Sequence, residues 1–284
     1  MRKLERSAFG LGWRPELAAA IFANLDAIDV VEVIADDWLD ARSSELRALR
    51  LLSSTLPVLL HATSLGLAST ELVSERRLEK LARVIDAVRP VAWSEHLAFV
   101  RGGGVEIGHL AAPPRTRATI DGLAANVARA RAITGSAPIL ENVATLIEPP
   151  LSEMPEAEFV RTAIEACETS LLLDLHNLHA NATNFGWNPV DLLDAVDDIE
   201  IGYVHLAGGR RIHAAGETRI LDDHLHATPD PVFTLLGQLA QRREEPLTIV
   251  LERDGHYPQF HELLGELQRG RTYVDRSLPR AALR

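Results

Sequence analysis

The sequence predicts a single α/β domain, a closed (β/α)8 TIM barrel of parallel strands. Short apolar runs rich in β-branched residues alternate with longer amphipathic stretches along the chain. Two of these runs, Val58–Leu60 and Leu171–Leu173, are apolar at every position, which is typical of parallel strands buried on both faces. No Gly/Ser-rich linker divides the 284 residues, and barrels of this kind commonly need about 250 residues.

The eight predicted strands are Ala8–Leu11, Val30–Ile34, Val58–Leu60, Val91–Ser94, Pro138–Leu140, Leu171–Leu173, Ile199–Val204 and Leu247–Leu251. The predicted helices are Pro15–Asn24, Ser43–Leu52, Glu75–Val88, Arg117–Thr134, Pro155–Cys167, Pro189–Val196, Pro231–Gln241 and Pro258–Leu267. A doubly wound sheet, the main alternative, normally carries a glycine-rich phosphate loop after its first strand, and Gly10–Arg14 is too short for one. We expect a catalytic, metal-binding domain over residues 1–275 and a basic, frayed tail over 276–284.

Composition and charge exclude several classes of protein. The formal net charge of −11 counts against nucleic-acid binding, which needs positive charge to neutralise phosphates. Cys167 is the single cysteine, so neither a disulfide framework nor a thiolate metal site is expected, and we predict that it is buried. The first residues lack the apolar stretch of a signal peptide, and no apolar run approaches the roughly 20 residues of a membrane span. We therefore expect a cytoplasmic protein without a membrane partner.

Potential metal ligands follow six successive predicted strands or lie in the loops between them. They are His61, His96, Glu141, Asp174, His176, Asn177, His205, Asp222, His224 and Glu252. Any one of them alone is more simply explained as a hydrogen-bonded structural residue or a helix cap. Taken together they predict a site, because the strand ends of a parallel barrel converge on one mouth, where the active sites of this fold lie.

Electrostatics favour a metal cluster at that mouth. Four carboxylates around one small cavity would repel each other, and their pKa values would rise until some were protonated. Two or three divalent ions remove that repulsion, and the histidines supply neutral imidazole ligands. Imidazole and carboxylate without thiolate suit iron, zinc or manganese.

At these residues the sequence resembles a family of multinuclear-iron TIM-barrel enzymes, the MbnB/TglH-like peptide-cysteine-modifying oxidases of natural-product biosynthesis, within the xylose-isomerase-like and endonuclease IV-like barrels. The matching stretches run in order through nearly the whole chain. They are Gly10–Arg14, His61–Leu67, Ser94–Ala98, Leu140–Asn142, Leu173–Asn177, Asn181–Asn184, His205–Gly208, Asp222–His224, Pro229–Val232 and Leu251–Asp254. Individually these motifs are weak, but as an ordered set they are specific.

The resemblance implies a cofactor of two or three iron ions. It also implies an enzyme that uses O₂ to oxidise a cysteine of a ribosomally made precursor peptide, often with a small partner protein that delivers the peptide. The ligands it implies are His61, His96, Glu141, Asp174, Asn177, His205, Asp222, His224 and Glu252.

The chain departs from the commoner family pattern in one segment. It has His176 where that pattern has asparagine, His179 where it has tyrosine, and Phe185 where it has histidine. His176 therefore either replaces or supplements Asn177 as a ligand, and the sequence leaves both possibilities open. Because this segment borders the predicted cavity, the identity of the peptide is open as well.

Two other function classes remain as alternatives. The same ligand order resembles the trinuclear-zinc barrel of endonuclease IV, a phosphodiesterase, and more loosely the sugar isomerases and epimerases. Endonuclease IV has a histidine where this chain has Asn177, and the acidic balance disfavours a DNA enzyme. A barrel that binds metal but chiefly docks a partner is the remaining class.

Three residues are candidates for catalytic roles, namely Asp222, Asn142 and Arg210. Arg210 is a candidate to bind a peptide carboxylate at the rim, or it is a solvated loop residue. Asn142 is a candidate to orient Glu141 or to touch substrate, and a backbone hydrogen bond is the alternative. Glu95 is a candidate partner for the free N–H of His96. Other histidines are expected at the surface; they are His109, His213, His226 and His256.

Overall fold

The computed structural model describes residues 6–214 and 216–277, apart from the side chain of residue 214. Within them it has twelve strands. They are β1 (Ala8–Gly12), β2 (Val30–Ile34), β3 (Val58–Ala62), β4 (Ala92–His96), β5 (Phe99–Gly102), β6 (Val105–Ala111), β7 (Ile139–Glu141), β8 (Leu171–Asp174), β9 (Ile201–Leu206), β10 (Arg210–Ala214), β11 (Glu217–Leu221) and β12 (Thr248–Leu251).

Eight of these strands close into a parallel barrel in the order β1, β12, β9, β8, β7, β4, β3, β2, with β2 returning to β1. The register brings His61 opposite Ser94, His96 opposite Glu141, and Asp174 opposite His205 on neighbouring strands. The predicted single (β/α)8 barrel is confirmed, with its eight strands within a few residues of their predicted bounds.

Nine α-helices and one short 3-10 helix, Ala35–Trp38, lie in the described residues. The α-helices are α1 (Ala18–Ala23), α2 (Ser43–Thr55), α3 (Glu75–Val88), α4 (Arg117–Thr134), α5 (Glu156–Cys167), α6 (Leu175–Phe185), α7 (Val190–Ala195), α8 (Asp230–Gln241) and α9 (Phe260–Ser277). Cys167 is buried at the end of α5, and this burial raises the pKa of its thiol to about 12, so it is an unreactive core residue. Arg276 and Ser277, the start of the predicted tail, belong to α9; the rest of that tail lies outside the described residues. None of these helices is both long and apolar enough to span a membrane.

The core has two layers, because successive side chains of a strand point to opposite faces. The larger layer packs the outer faces of the strands against the helices. The smaller one fills the barrel interior, and its members come from six different strands. They are Val30, Leu59, Ile139, Leu172, Tyr203 and Val250. Nearer the carboxyl ends of the strands, above this filled level, lies a cavity bordered by His61 and Glu252.

Three elements differ from the prediction, and all lie at the carboxyl ends of the barrel strands. Helix α6 begins directly after Asp174, where a loop was expected, because the Asp174 side chain accepts the Asn177 backbone N–H at 2.7 Å and caps the helix. Two antiparallel hairpins, β5–β6 and β10–β11, interrupt the expected strand–helix alternation. The first turns at Gly103 and Gly104, whose φ angles of 59° and 77° suit glycine.

Candidate metal centre

Side chains along each barrel strand alternate between the interior and the outer face, and this alternation explains the position of the ligand candidates. Each strand that gives an apolar residue to the interior layer carries a polar residue two positions later, on the same face and nearer the mouth. These polar residues are Glu32, His61, Glu141, Asp174, His205 and Glu252, and all are buried. A buried polar ring therefore stands directly on the apolar layer.

One group that could hold a metal ion consists of His61, His96 and Glu141. Glu141 Oε2 lies 3.4 Å from His61 Nε2 and 3.4 Å from His96 Nε2. The two imidazole rings meet edge to face, with centroids 4.7 Å apart. All three side chains come from the neighbouring strands β3, β4 and β7, so the barrel itself sets their spacing.

A second group consists of Glu141, Asp174, His205 and Glu252. His205 Nδ1 lies 3.1 Å from Glu252 Oε2, 3.4 Å from Glu141 Oε1 and 3.9 Å from Asp174 Oδ2. Glu141 belongs to both groups, with one oxygen facing each. A carboxylate in this position can bridge two adjacent ions.

Asp222 and His224 complete the mouth from the loop after β11. Asp222 Oδ1 lies 2.8 Å from His224 Nε2 and 3.4 Å from His176 Nε2, while His224 Nδ1 lies 3.3 Å from Glu252 Oε2. His224 has a φ of 52°, a left-handed conformation that a side-chain-bearing residue adopts at a cost in free energy. The loop thus holds this imidazole against the carboxylates.

The structure brings both His176 and Asn177 to this region, in the first turn of α6. Asn177 lines the cavity, and its Oδ1 has no hydrogen-bond partner among the described residues. His176 is buried, and both of its ring nitrogens lack a partner there as well. Both side chains therefore present a free donor atom, so both remain ligand candidates.

Unpartnered buried atoms test whether the site suits a metal. Buried polar atoms are almost always hydrogen-bonded, yet many potential ligand atoms at the mouth have no such partner in the part of the chain described. They are His96 Nδ1, Glu141 Oε2, Asp174 Oδ2, His176 Nδ1, His176 Nε2, Asn177 Oδ1, His205 Nδ1, Asp222 Oδ1 and His224 Nε2. Most of these atoms face their neighbours at 2.8–3.9 Å. Nitrogen and oxygen donors held this close fit divalent cations.

Protonation compensates the same charges when no cation is bound. Burial lowers the pKa of His96, but the carboxylates of Glu141 and Glu95 outweigh it and raise that pKa to about 9. Burial and the neighbouring Glu141 carboxylate raise the pKa of Asp174 well above its ordinary value. Burial lowers the pKa of His61 to about 3, so this imidazole is already neutral and ready to bind a metal.

A buried hydrogen-bond chain beneath the cluster joins its two groups. Tyr203 Oη donates to Glu32 Oε2 at 2.6 Å, and Ser94 Oγ lies 2.6 Å from Tyr203 Oη and 2.7 Å from His61 Nδ1. Because Tyr203 gives its proton to Glu32, Ser94 donates to Tyr203, and His61 Nδ1 donates to Ser94. His205 Nε2 donates to the same Glu32 oxygen. Each imidazole therefore presents its other nitrogen, Nε2 of His61 and Nδ1 of His205, to the cavity.

Sequence reasoning missed Glu32, Ser94 and Tyr203. Glu32 carried a detectable signal, a carboxylate in the middle of the apolar strand Val30–Ile34 and thus on the interior face. Ser94 and Tyr203 carried none, because small hydroxyl and aromatic residues are ordinary inside strands.

The remaining candidates are more dispersed. Asn142 Oδ1 accepts the Asp174 backbone N–H at 2.9 Å, and Asn142 Nδ2 donates to the Asp174 carbonyl at 3.0 Å. Asn142 thus makes the backbone hydrogen bonds that were the alternative to a substrate contact, and they hold the end of β8 in place. Arg210 is exposed at the start of β10, with its Nε 3.4 Å from Asp223 Oδ2. Glu95 Oε1 lies 3.5 Å from His96 Nδ1, beyond hydrogen-bond range. His109 is exposed as predicted, but it lines the mouth.

The chain is a single eight-stranded parallel barrel of the TIM-barrel class, and solved structures share this fold. Over 95% of this chain and 99% of the other, the endonuclease IV of Thermus thermophilus superposes with a TM-score of 0.58 at 15% identity. The apo 3-keto-D-glucoside 4-epimerase of E. coli superposes with a TM-score of 0.61 at 14% identity, over 94% and 100% of the two chains. At these identities the likeness concerns the fold alone.

The chain belongs to the RiPP precursor modification enzyme family MbnB/TglH/ChrH, whose model matches residues 8–275. A UPF0276 protein of Streptomyces avermitilis is 37% identical over 99% of this chain, which spans 58% of the length of that relative. A UPF0276 protein of Rhizorhabdus wittichii is 30% identical over 99% of this chain and 100% of its own. The family therefore indicates an enzyme that modifies a ribosomally synthesised peptide.

Proposed function

We propose that this chain is a multinuclear non-haem iron enzyme that uses O₂ to oxidatively modify a cysteine of a ribosomally synthesised precursor peptide. The observation that carries the proposal is the position of Glu141 in two adjacent groups of nitrogen and oxygen donors. That arrangement suits two ions side by side, and the family supplies the peptide substrate.

The ligand set follows from the two groups and the mouth loop. His61, His96 and Glu141 would hold one ion, and Glu141, Asp174, His205 and Glu252 a second. Asp222 and His224, with His176 or Asn177, would hold a third. When bound, iron would supply an open position for a thiolate and one-electron chemistry with O₂, which zinc does not undergo.

The residues of the chain prepare the site for that chemistry. The cavity at the mouth measures about 230 Å³ and is bordered by Ile34, Thr63 and Val143 as well as by the cluster. Below it, the Glu32 chain orients His61 and His205 so that one nitrogen of each ring faces the cavity, where it would bind a metal ion after losing any proton it carries.

Peptide and partner enter the proposal at the rim. Arg210 and Asp222 are the candidates to contact the substrate, since Arg210 is exposed beside the mouth and Asp222 lies between the cavity and the surface. We expect the peptide in the cytoplasm, where ribosomes make it, and a small partner protein could deliver it.

A second candidate is a zinc- or manganese-dependent hydrolase or a sugar isomerase or epimerase on the same barrel. The donor set also supports this candidate, because imidazole and carboxylate ligands without thiolate suit zinc and manganese. The net charge of −11 counts against a nucleic-acid substrate.

The decisive experiment combines composition with turnover. Protein purified without oxygen is analysed for metals and by Mössbauer spectroscopy, and O₂ uptake is then followed with and without a cysteine-containing peptide. We expect coupled iron and O₂ uptake only with the peptide, and no turnover when serine replaces its cysteine, because an alcohol is a far weaker ligand than a thiolate at neutral pH. Stoichiometric zinc together with O₂-independent phosphodiester cleavage would overturn the proposal.

A further inference from the structure

A larger groove adjoins the metal cavity. This groove of about 490 Å³ runs between hairpin β5–β6, strand β11 and the loop after β7. Four residues border both spaces: His109, Leu110, Ala144 and Asp222. The two spaces therefore adjoin each other, and together they outline a path from the metal cluster towards the surface.

Polarity changes along that path. Of the side chains that line the groove, only His109 and Asp222 are ionisable, and both lie at the end shared with the metal cavity. Beyond them the walls are apolar. They include Phe99, Leu110, Leu146, Ile147, Ile220 and Leu221. The Ile147 side chain is 76% exposed, and an exposed apolar wall of this kind commonly marks a binding surface.

Asn184 holds two walls of the groove together. This buried amide donates from Nδ2 to the carbonyl oxygens of Thr145 and Ile220, each at 3.1 Å, and its Oδ1 accepts the Ile220 N–H at 2.7 Å. Arg219 Nη1 adds a bond to the Leu146 carbonyl at 2.9 Å. The groove is therefore formed before any ligand arrives, which lowers the entropic cost of binding.

The same bonds define how a ligand can bind. Because Ile220 N–H and C=O are both bonded to Asn184, an extended peptide cannot add to β11 as a further strand at this residue. At this residue, recognition is therefore left to peptide side chains that fill the apolar groove. Its volume lies within the range of about 300–1,000 Å³ that is usual for ligand sites.

We propose that this groove binds the apolar residues that directly flank the modified residue of the peptide substrate. The inference rests on the proposed function, because a peptide whose reacting side chain enters the cavity of about 230 Å³ must place its neighbouring residues in an adjoining space, and the groove adjoins the cavity at four residues. The polar end of the groove faces the reacting group, and the apolar walls select the neighbouring side chains.

Ile147 and Leu151 offer a matched pair of variants for the test. Both are exposed apolar residues of one loop, at 76% and 85%, but only Ile147 lines the groove. Ile147→Asp and Leu151→Asp make the same change of charge and polarity. Both should fold, because neither side chain is buried.

The probes are fluorescein-labelled synthetic dodecapeptides with a central serine, flanked either by valine and leucine or by serine and glutamine. We expect the apolar-flanked probe to bind at least about ten-fold more tightly, and Ile147→Asp to remove that advantage, because burial of one aliphatic side chain is worth roughly that factor. Leu151→Asp should stay within about two-fold of the parent protein. Equal affinity for both probes, or equal effects of both variants, would overturn the inference.

The probes contain no thiol, so binding is separated from oxidation. If the apolar probe binds through Ile147 while its cysteine version causes no O₂ uptake, the groove assignment stands and the oxidase proposal falls. Oxidation that is indifferent to the flanking residues and to Ile147→Asp would retain the oxidase and reject the groove.

Discussion

Glu32 and His205 meet beneath the metal cavity, where Glu32 Oε2 accepts a hydrogen bond from His205 Nε2 at 2.9 Å. Both side chains are fully buried, and the same oxygen also accepts the Tyr203 hydroxyl. One carboxylate thereby fixes which nitrogen of His205 is free for a metal, and through Tyr203 and Ser94 it does the same for His61.

The first prediction follows from this pair. Glu32→Gln preserves shape but replaces a charged acceptor by an amide, so His205 loses its charge-assisted bond. We expect metal affinity to fall about 10- to 100-fold, the usual effect of removing the partner of a metal-binding histidine. Competition with a chelator measures it, and Glu79→Gln, on the exposed face of α3, is the control. Parent-like affinity in Glu32→Gln would refute this role.

The second prediction concerns the shared carboxylate. Glu141→Gln and Asp174→Asn should each remove at least one metal ion while circular dichroism still reports a folded barrel. Glu141→Gln should lose more, because Glu141 belongs to both groups and Asp174 to one. Elemental analysis of metal-loaded protein provides the count. Full occupancy in both variants would reject the cluster.

The third prediction distinguishes His176 from Asn177. If His176 binds a metal beside Asp222, His176→Ala should lower metal content as much as Asn177→Ala does. If it only supports the ligands, the metal should stay and activity should fall about 10- to 100-fold. Parallel elemental analysis and turnover assays decide between these outcomes. A variant with unchanged metal and unchanged activity would make His176 an ordinary buried residue.

The fourth prediction is a pH dependence of metal binding. In the folded metal-free protein the pKa of His96 is raised from its ordinary value of 6.5 to about 9, because the neighbouring Glu141 and Glu95 carboxylates outweigh the effect of burial. The charged His96 imidazole therefore stabilises the folded metal-free protein fully below pH 6.5, and this stabilisation is lost as the pH rises to about 9. Metal binding has the opposite trend, since the ligand must lose its proton.

The increase in melting temperature on adding metal should accordingly grow as pH rises from about 6.5 towards 9. Differential scanning fluorimetry with and without manganese measures it. His96→Gln should flatten the dependence, whereas His256→Gln, at an exposed position, should retain it. A constant increase across the range in the parent protein would contradict the prediction.

Much of this architecture is predictable from local sequence, and the exceptions have physical causes. The run Leu171–Leu173 identifies a barrel strand because its burial on both faces leaves an unbroken apolar signal. Helix α6 is hidden because its buried positions include His176, Asn177 and Asn181, so it lacks the apolar periodicity by which helices are recognised.

The hairpins are hidden for a different reason. Residues of β6 are largely exposed and serve as a wall of the mouth, so Val105–Ala111 shows neither the apolar run of a barrel strand nor a clear inward face. The ligands were predictable because strand ends of a parallel barrel converge; Tyr203 and Ser94 were not, because their roles depend on contacts between strands far apart in the chain.

Asp174 is both the last residue of β8 and the N-cap of α6, so no connecting loop separates the strand from the helix. An insertion here would turn the helix by about 100° per added residue and carry His176 and Asn177 away from the mouth. Hairpin tips such as Gly103–Gly104 have no such restriction, since nothing among the described residues lies within 4 Å of a Cβ added there. Changes of chain length should therefore be tolerated in the hairpins, whereas the β8–α6 junction should tolerate none without displacing His176 and Asn177.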